Sequence, residues 1–234
     1  MKNLALTFLI IMLLISCESQ ENKNSRLILD KYARKMNSMT IDIISSRDEE
    51  GGQSRLTLNQ FYNRYTSKFE AFTNDLDFES ISEKYALSRN ELTNLARIYY
   101  SYLNTRKKTL VDLSDAGSAY ERARDYNEDY EEYYDKMLRS SYNSSFYSEM
   151  ALKSSKKRFE KRMEFLMSSS SYFEQLEILD SLVVSIDSIS TYYNNKTEVL
   201  KLEEKIIVPK TLNDTINDWL INSKNLILQL VLKQ

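Results

Sequence analysis

Ser154 and Lys157 stand three residues apart, a spacing at which a lysine amine can act as the base for a serine nucleophile. Enzymes that use this S-x-x-K pair also need S-D-N and K-T-G elements, and the sequence contains neither. The chain has no histidine, which excludes Ser-His pairs, Cys-His pairs and imidazole zinc sites. We therefore predict that the protein is not an enzyme and has no catalytic residue, metal or cofactor.

Carboxylate, lysine or tyrosine chemistry remains, and four carboxylates at helical spacing could bind a divalent cation. They are Glu128, Glu131, Glu132 and Asp135. Calcium loops alternate their oxygen ligands around a glycine bend, and a straight helix has no such bend. These side chains are therefore predicted to form a solvated helix face.

The only cysteine, Cys17, follows an apolar run near the start of the chain. This run, residues 4–15, has 12 residues, which as a helix cover about 18 Å against a hydrocarbon core of about 30 Å. It is too short to span a bilayer. With the charge of Lys2 before it and the small Ser16 after it, the run matches a secretory signal peptide, so residues 1–16 are predicted to be removed.

The tetrad Leu14-Ile15-Ser16-Cys17 resembles the lipobox of bacterial lipoproteins, and the resemblance covers only the first 17 residues. It implies that a signal peptidase recognises Leu14, Ile15 and Ser16 and cuts before Cys17. It also implies that Cys17 carries a diacylglyceryl group and a further acyl chain such as palmitate. Two or three chains make a lasting anchor, whereas one chain holds a protein only marginally. The alternative is an ordinary signal peptide with an unmodified Cys17.

Composition favours an all-α fold that does not bind nucleic acid. Glycine and proline occur only at Gly51, Gly52, Gly117 and Pro209, where average usage is about 7% and about 5%. Hairpin-rich β proteins and phosphate-binding loops need many more. Removal of residues 1–16 takes away one positive charge, Lys2, so the formal charge changes from −2 to −3. Nucleic-acid-binding domains more often carry a strong basic excess.

The elements are predicted to be six or seven helices in one antiparallel bundle, a single domain over residues 26–234 after a polar tether at residues 17–25. Apolar residues recur at steps of three and four in each helix. These positions are Leu29, Tyr32, Met36, Met39 and Ile43; Leu58, Phe61, Tyr65, Phe69, Phe72 and Leu76; Leu92, Leu95, Tyr99 and Leu103; Tyr126, Tyr130, Tyr133 and Met137; Phe146, Met150, Phe159, Met163 and Leu166; Phe173, Leu176, Leu179, Val183, Ile186 and Tyr193; Leu212, Ile216, Trp219, Leu226 and Leu230.

Helix boundaries are predicted from breakers and capping boxes. The first helix should run from Leu27 to about Ser46. Two capping boxes and three breaks or stops are predicted after this helix. In chain order they are the capping box Ser88/Glu91, a break before Gly117, a serine break at residues 168–171, the capping box Ser171/Glu174 and a stop at Pro209.

Charge predicts one tertiary contact. Residues 121–136 hold seven acidic and three basic side chains, and residues 153–162 hold six basic and one acidic. A chain reversal near Asn143 would set position 131 opposite 156 and position 125 opposite 162. The sequence therefore predicts an antiparallel helical hairpin with the acidic and basic stretches side by side.

Tyrosines at helical spacing most often form core, and burial is favoured over a binding role for them. Those outside the apolar stripes are the candidates for a protein-binding surface, because tyrosine is enriched at interfaces. They are Tyr100, Tyr102, Tyr134, Tyr142 and Tyr147. The basic side chains of residues 153–162 could instead meet an anionic polysaccharide or lipid headgroups, although pairing with the acidic helix is favoured. The residues selected for partner binding are Tyr134, Tyr142, Tyr147, Lys156, Lys157 and Arg158.

Residues 81–100 have the order of a helix-turn-helix, but Glu83 and Glu91 offset Arg89 and Arg97, and the chain is predicted to be exported. A corner between two helices is therefore favoured over DNA reading.

In its polar tether, helical body and composition, the chain is similar to the outer-surface lipoproteins of spirochaetes. That resemblance implies an adhesin-like module, a surface antigen that binds a host protein or glycan from the outer membrane or the cell surface. The alternative is an envelope scaffold or assembly factor that faces the periplasm.

Overall fold

A computed structural model describes residues 19–45 and 55–208, together with Asn225 and Gln229. Most of the described residues are helical and none of them forms a strand, so the all-α prediction is confirmed. There are five α-helices in these ranges rather than six or seven. They are α1 Gln20–Ser45, α2 Arg55–Thr73, α3 Leu76–Glu79, α4 Ala86–Arg139 and α5 Ser144–Leu200, with a short 3-10 helix at Glu83–Tyr85 before α4.

The lower helix count arises because α4 and α5 continue through predicted breaks. Gly117 lies inside α4, where glycine costs roughly 1 kcal/mol relative to alanine but does not end a helix. Ser171 lies inside α5, and its hydroxyl donates to the Asp112 carboxylate at 2.7 Å instead of capping a new helix. The breaks predicted at Gly117 and at residues 168–171 are therefore wrong.

The capping box predicted at Ser88 and Glu91 is also wrong. The 3-10 helix Glu83–Tyr85 leads directly into α4, so the helix is already formed when the chain reaches Ser88. Ser88 is buried without a hydrogen-bond partner for its hydroxyl, and the Glu91 carboxylate has one buried oxygen without a partner. The turn required for a helix-turn-helix at this point is replaced by continuous helix.

The end of α5 differs from the stop predicted at Pro209. The helix passes Asn194 as expected but ends at Leu200, where Lys201 adopts a positive φ of 56°. The Leu202 N–H then donates to the Thr197 carbonyl at 2.8 Å, which closes the helix with a Schellman-type turn.

The described residues fall into two compact units, and the single domain predicted over residues 26–234 stays a prediction. Unit 1 comprises residues 19–45, 55–103 and 182–208, and unit 2 comprises residues 104–181. Helices α4 and α5 each contribute to both units. None of the described helices combines the length and apolar character that crossing a bilayer requires.

Unit 1 is built around aromatic side chains that the apolar stripes of α1, α2 and α4 supply. The α1 stripe Leu29, Tyr32, Met36, Met39 and Ile43 is buried as predicted. The Tyr32 ring contacts Phe72 and Phe78 at centroid distances of 4.7 and 4.6 Å, and Phe69 stacks on Tyr99 at 5.2 Å. Burial raises the pKa of the Tyr99 hydroxyl, which is enclosed in this core.

The structure of unit 1 differs from the prediction at two element ends. Leu76 is 81% exposed, because α2 ends at Thr73 and Asp75 caps a new helix through its contact with the Asp77 N–H at 3.0 Å. Residues 20–25, predicted to belong to the tether, are already helical. Ser25 is buried, and its hydroxyl accepts from the Ser82 N–H at 2.9 Å.

Residues 203–207 are held in unit 1 by side chains of α1 and α5. Asp30 accepts from the N–H groups of Glu203 and Glu204 at 3.0 and 3.1 Å. The Asn194 amide exchanges two hydrogen bonds of 2.7 Å with the backbone of Ile206. Burial raises the pKa of Asp30 despite these two donors.

Unit 2 is the predicted antiparallel hairpin of α4 and α5, with the reversal between Arg139 and Ser144. Arg158 donates to the Asn127 side-chain oxygen at 2.6 Å, and the rings of Tyr120 and Phe165 lie 6.0 Å apart. These pairs lie within a few residues of the predicted register. The buried side chains of the hairpin include the small Ala116, Ala119, Ala123 and Ala151.

Candidate partner-binding surfaces

The reversal of the hairpin presents a group of apolar and aromatic side chains to solvent. Tyr142 is 98% exposed, and Leu138 and Phe146 are also more than half exposed. The turn is fixed locally, since the Asn143 N–H donates to the Ser140 hydroxyl at 3.0 Å and the Tyr147 N–H donates to the Asn143 carbonyl at 3.1 Å. We call this surface the hairpin tip, consisting of Tyr130, Tyr134, Leu138, Tyr142, Phe146 and Tyr147.

Ring contacts organise the hairpin tip along each helix. Tyr130 and Tyr134 stack at 5.9 Å on α4, and Phe146 meets Tyr147 edge to face at 5.5 Å on α5. The three tyrosines selected from the sequence, Tyr134, Tyr142 and Tyr147, therefore all lie at the hairpin tip. Tyr134 is exposed and Tyr147 is half-buried. The sequence did not identify Leu138 and Phe146 as part of it.

Of the three basic side chains selected from the sequence, two contact α4 and one is exposed. Arg158 is half-buried between the helices, where it binds Asn127 and lies 5.0 Å from the Tyr130 ring centre. Lys157 lies 5.1 Å from the Tyr126 ring centre. These two residues join α4 to α5. Lys156 is exposed and has no partner among the described residues.

The acidic stretch forms ion pairs within its own helix rather than across the hairpin in the described part of the chain. Arg124 contacts Glu121 at 2.6 Å, and Arg139 contacts Asp135 at 3.2 Å. Lys136 pairs with Glu132, which raises the pKa of the lysine. The observed register lies within a few residues of the predicted one, but the printed contacts across the hairpin are cation-aromatic and amide contacts instead of the acidic-basic pairing favoured from the sequence.

The predicted carboxylate face is solvated, as expected: Glu128, Glu131, Glu132 and Asp135 are all exposed. Within residues 19–45 and 55–208, no cluster of three or more acidic side chains is placed to hold a metal ion. Cys17 and its recognition residues Leu14, Ile15 and Ser16 lie outside the described residues, so lipidation stays a prediction.

The two remaining candidate tyrosines behave differently from each other. Tyr102 is completely buried in unit 1, so it belongs to the core, the alternative favoured for the tyrosines, and not to a binding surface. Tyr100 is exposed and lines an open cleft of about 360 Å³ together with Phe69, Glu70 and Arg97. This volume is at the small end of the range for ligand pockets, about 300–1,000 Å³.

A second apolar surface in unit 2 was assigned to the wrong side of its helix by the sequence pattern. Phe159, Met163 and Leu166 were expected among the inward positions of α5, but they are exposed. The buried side of this part of α5 consists instead of Ala151, Ser154, Phe165, Ser169 and Tyr172. We call the exposed row the outer stripe, consisting of Leu152, Phe159, Met163, Leu166 and Met167.

The hairpin tip and the outer stripe are the surfaces of unit 2 on which apolar side chains are concentrated in solvent. Single exposed apolar residues are normal, whereas contiguous apolar patches mark contact surfaces.

Comparison of the chain with protein-family models, with curated proteins and with solved structures finds no match.

Proposed function

We propose that the protein is a membrane-anchored bacterial lipoprotein whose helical body binds a partner macromolecule through the hairpin tip. The observation that carries the proposal is the near-complete exposure of Tyr142 beside exposed Leu138 and Phe146. Rings that are this exposed bury little area in the hairpin core, and tyrosine is enriched among the few residues that dominate binding energy at protein interfaces.

The anchor of the proposed protein is Cys17, with its acyl chains in the bilayer and residues 18 onward outside the cytoplasm. The support is the tetrad Leu14-Ile15-Ser16-Cys17 after a short apolar run. The partner is a protein or glycan on a host or neighbouring surface, which makes the module adhesin-like. Its task is binding rather than catalysis.

Site-specific photo-crosslinking tests the hairpin tip. A photoreactive residue is placed at position 142 of the full chain in its native cells, and at position 192 as a control. Tyr192 is also an exposed tyrosine but lies in unit 1. The proposal predicts one discrete adduct from position 142 and none from position 192.

Once the adduct is identified, affinity for that partner gives the quantitative test. Tyr142→Ala and Phe146→Ala are each expected to weaken binding at least tenfold, about 1.4 kcal/mol, because both remove an aromatic anchor. Tyr192→Ala should bind as the parent does. Equal adducts at both positions, or unchanged affinity in the tip variants, would overturn the assignment.

The rival function, an envelope scaffold facing the periplasm, is separated by protease added to intact cells. A surface adhesin is cut under these conditions, and a periplasm-facing scaffold is cut only after the envelope is opened.

A further inference from the structure

Residues 202–207 leave helix α5 as an extended segment held against α1, and we call this segment the strap. Its side chains alternate in burial. Leu202 and Ile206 are buried and Glu204 between them is half-buried, whereas residues 203, 205 and 207 are exposed. Such alternation is typical of an extended chain that has one side against a surface. The strap therefore lies in a groove of unit 1 with every second side chain directed inward.

Two asparagine side chains bind the backbone of the strap. The Asn37 amide accepts from the Ile207 N–H at 2.8 Å and donates to the Lys205 carbonyl at 2.9 Å. The Asn194 amide accepts from the N–H of Ile206 and donates to its carbonyl, both at 2.7 Å. An amide side chain can bind backbone in this way because it carries a donor and an acceptor side by side. These four bonds do not depend on which side chains the strap carries.

α1 adds a carboxylate and a guanidinium to the same groove. Asp30 accepts from the N–H groups of Glu203 and Glu204 at 3.0 and 3.1 Å, and Arg34 donates to the Glu204 carboxylate at 2.7 Å. Asp30, Arg34 and Asn37 follow each other at steps of four and three residues, so they lie on one side of α1. The groove thus offers a row of polar side chains that matches an extended backbone.

The combination of backbone bonds and alternate side-chain positions is that of a peptide-binding groove. In complexes with extended peptides, main-chain hydrogen bonds give affinity and pockets for alternate side chains give specificity. Here the inward positions select an apolar residue at each end, as at Leu202 and Ile206, and an acidic residue midway, as at Glu204. An extended segment of any protein with this pattern presents the same groups to the groove.

The strap can leave the groove without opening the aromatic core of unit 1. Of its side chains, Leu202 and Ile206 are the buried apolar ones, whereas the core rings belong to other elements. Tyr32 of α1 contacts Phe72 of α2, and Phe69 of α2 stacks on Tyr99 of α4. Displacement of the strap would therefore expose two side chains and free six backbone groups, all of which a second peptide could replace.

We infer that the groove lined by Asp30, Arg34, Asn37 and Asn194 is a peptide-binding site that the strap occupies within its own chain. A partner protein enters it with an extended segment that carries an apolar residue at each end and an acidic residue midway, and this segment displaces the strap. The site lies in unit 1 and rests neither on the hairpin tip nor on Cys17. Because the strap is joined to α5, its effective concentration at the groove is on the order of millimolar.

Fluorescence anisotropy with a labelled peptide of residues 201–208, KLEEKIIV, tests the site. The strap is weakened in the full chain by Ile206→Asp, which puts a charge at a buried position. This chain should bind the peptide about tenfold more tightly than the parent, because its own strap competes less. Lys205→Asp adds the same side chain at an exposed position of the strap and is the matched control. It should bind as weakly as the parent.

A second peptide tests whether the backbone is what the groove binds. Methylation of the amide nitrogens at the positions of Ile206 and Ile207 removes the donors to Asn194 and Asn37 and leaves every side chain unchanged. The methylated peptide should bind the Ile206→Asp chain about tenfold more weakly than the unmodified peptide. Nonspecific apolar capture would not distinguish the two peptides.

Hydrogen exchange on the parent chain gives a measurement that needs no variant. Unlabelled peptide at concentrations on the order of millimolar should speed exchange at the strap amides, because it displaces the strap, and leave α1 and α5 protected. If the Ile206→Asp chain does not fold, as its circular dichroism would show, this experiment decides alone.

Three results would overturn the inference. The first is strap exchange in the parent chain that the peptide does not change. The second is equal binding of the methylated and unmodified peptides to a folded Ile206→Asp chain. The third is a concentration-dependent dimer of the parent chain that Ile206→Asp abolishes, which would assign the groove to the strap of a second copy. All three leave the proposed function to its own tests.

Discussion

Glu91 is a carboxylate that unit 1 partly buries without a hydrogen-bond partner for one of its oxygens. Burial raises its pKa from the usual value near 4.5, and the charge of Lys196 opposes this shift. In the unfolded chain Glu91 ionises at its ordinary pKa, while the folded protein holds the proton up to a higher pH. Stability is therefore lost as the pH rises from about 4.5 through the raised pKa.

The loss of stability with rising pH gives a prediction for the variant Glu91→Gln. Glu91→Gln should raise the melting temperature at pH 7, because the variant no longer has to ionise a buried group, and the gain should vanish at pH 4. Thermal unfolding of both chains across this range measures it. Glu83→Gln, at an exposed position near the start of α4, is the matched control and should show no such gain. A Glu91→Gln effect of equal size at both pH values would contradict the account.

The residue-level assignments that failed share a physical reason. Tyr102 was set outside the most regular apolar stripe of its helix, whereas Phe159 was included in one. Burial in a long helix depends instead on which side meets its neighbour, and α5 has apolar side chains on two sides. Periodicity identified the residues that could be buried but did not select the row that faces α4.

At the level of elements, a substitution at Gly117 tests directly whether helix α4 is continuous. Gly117 lies in its interior, and a Cβ built there would meet nothing within 4 Å. Gly117→Ala should therefore stabilise the protein by about 0.5–1 kcal/mol, by reducing the entropy of the unfolded chain and favouring helix. Urea unfolding measures this difference.

The same substitution would behave differently if the chain broke at Gly117 as the sequence suggested. A glycine that ends a helix in the left-handed conformation loses stability on replacement by alanine. Destabilisation by Gly117→Ala would therefore contradict a continuous α4.

Many helices and their buried sides could be predicted because the apolar spacing within a helix agrees with the way that the helix packs. The α1 stripe was buried as expected, since every member lies on one side of a single helix. The approximate hairpin register could be predicted from the reversal near Asn143, with the opposite charge of residues 121–136 and 153–162 as support. Breaks failed because Gly117 and Ser171 disfavour helix only by amounts that packing in a long hairpin readily exceeds.

The sequence predicted only some of the residues of the hairpin tip. Tyr134, Tyr142 and Tyr147 were found because tyrosines outside a stripe near a turn tend to be exposed. Leu138 and Phe146 were not, since their exposure depends on where α4 ends and α5 begins.

At the scale of the whole molecule, the proposed lipid anchor at Cys17 would fix the compartment. The compartment would in turn determine which partners the hairpin tip can meet.

The most direct test of this account is metabolic labelling with a palmitate analogue in cells that produce the full chain. The account predicts label on the parent chain, none on Cys17→Ser, and retention of only the parent in membranes after a carbonate wash. Equal labelling and equal retention of the Cys17→Ser chain would contradict it.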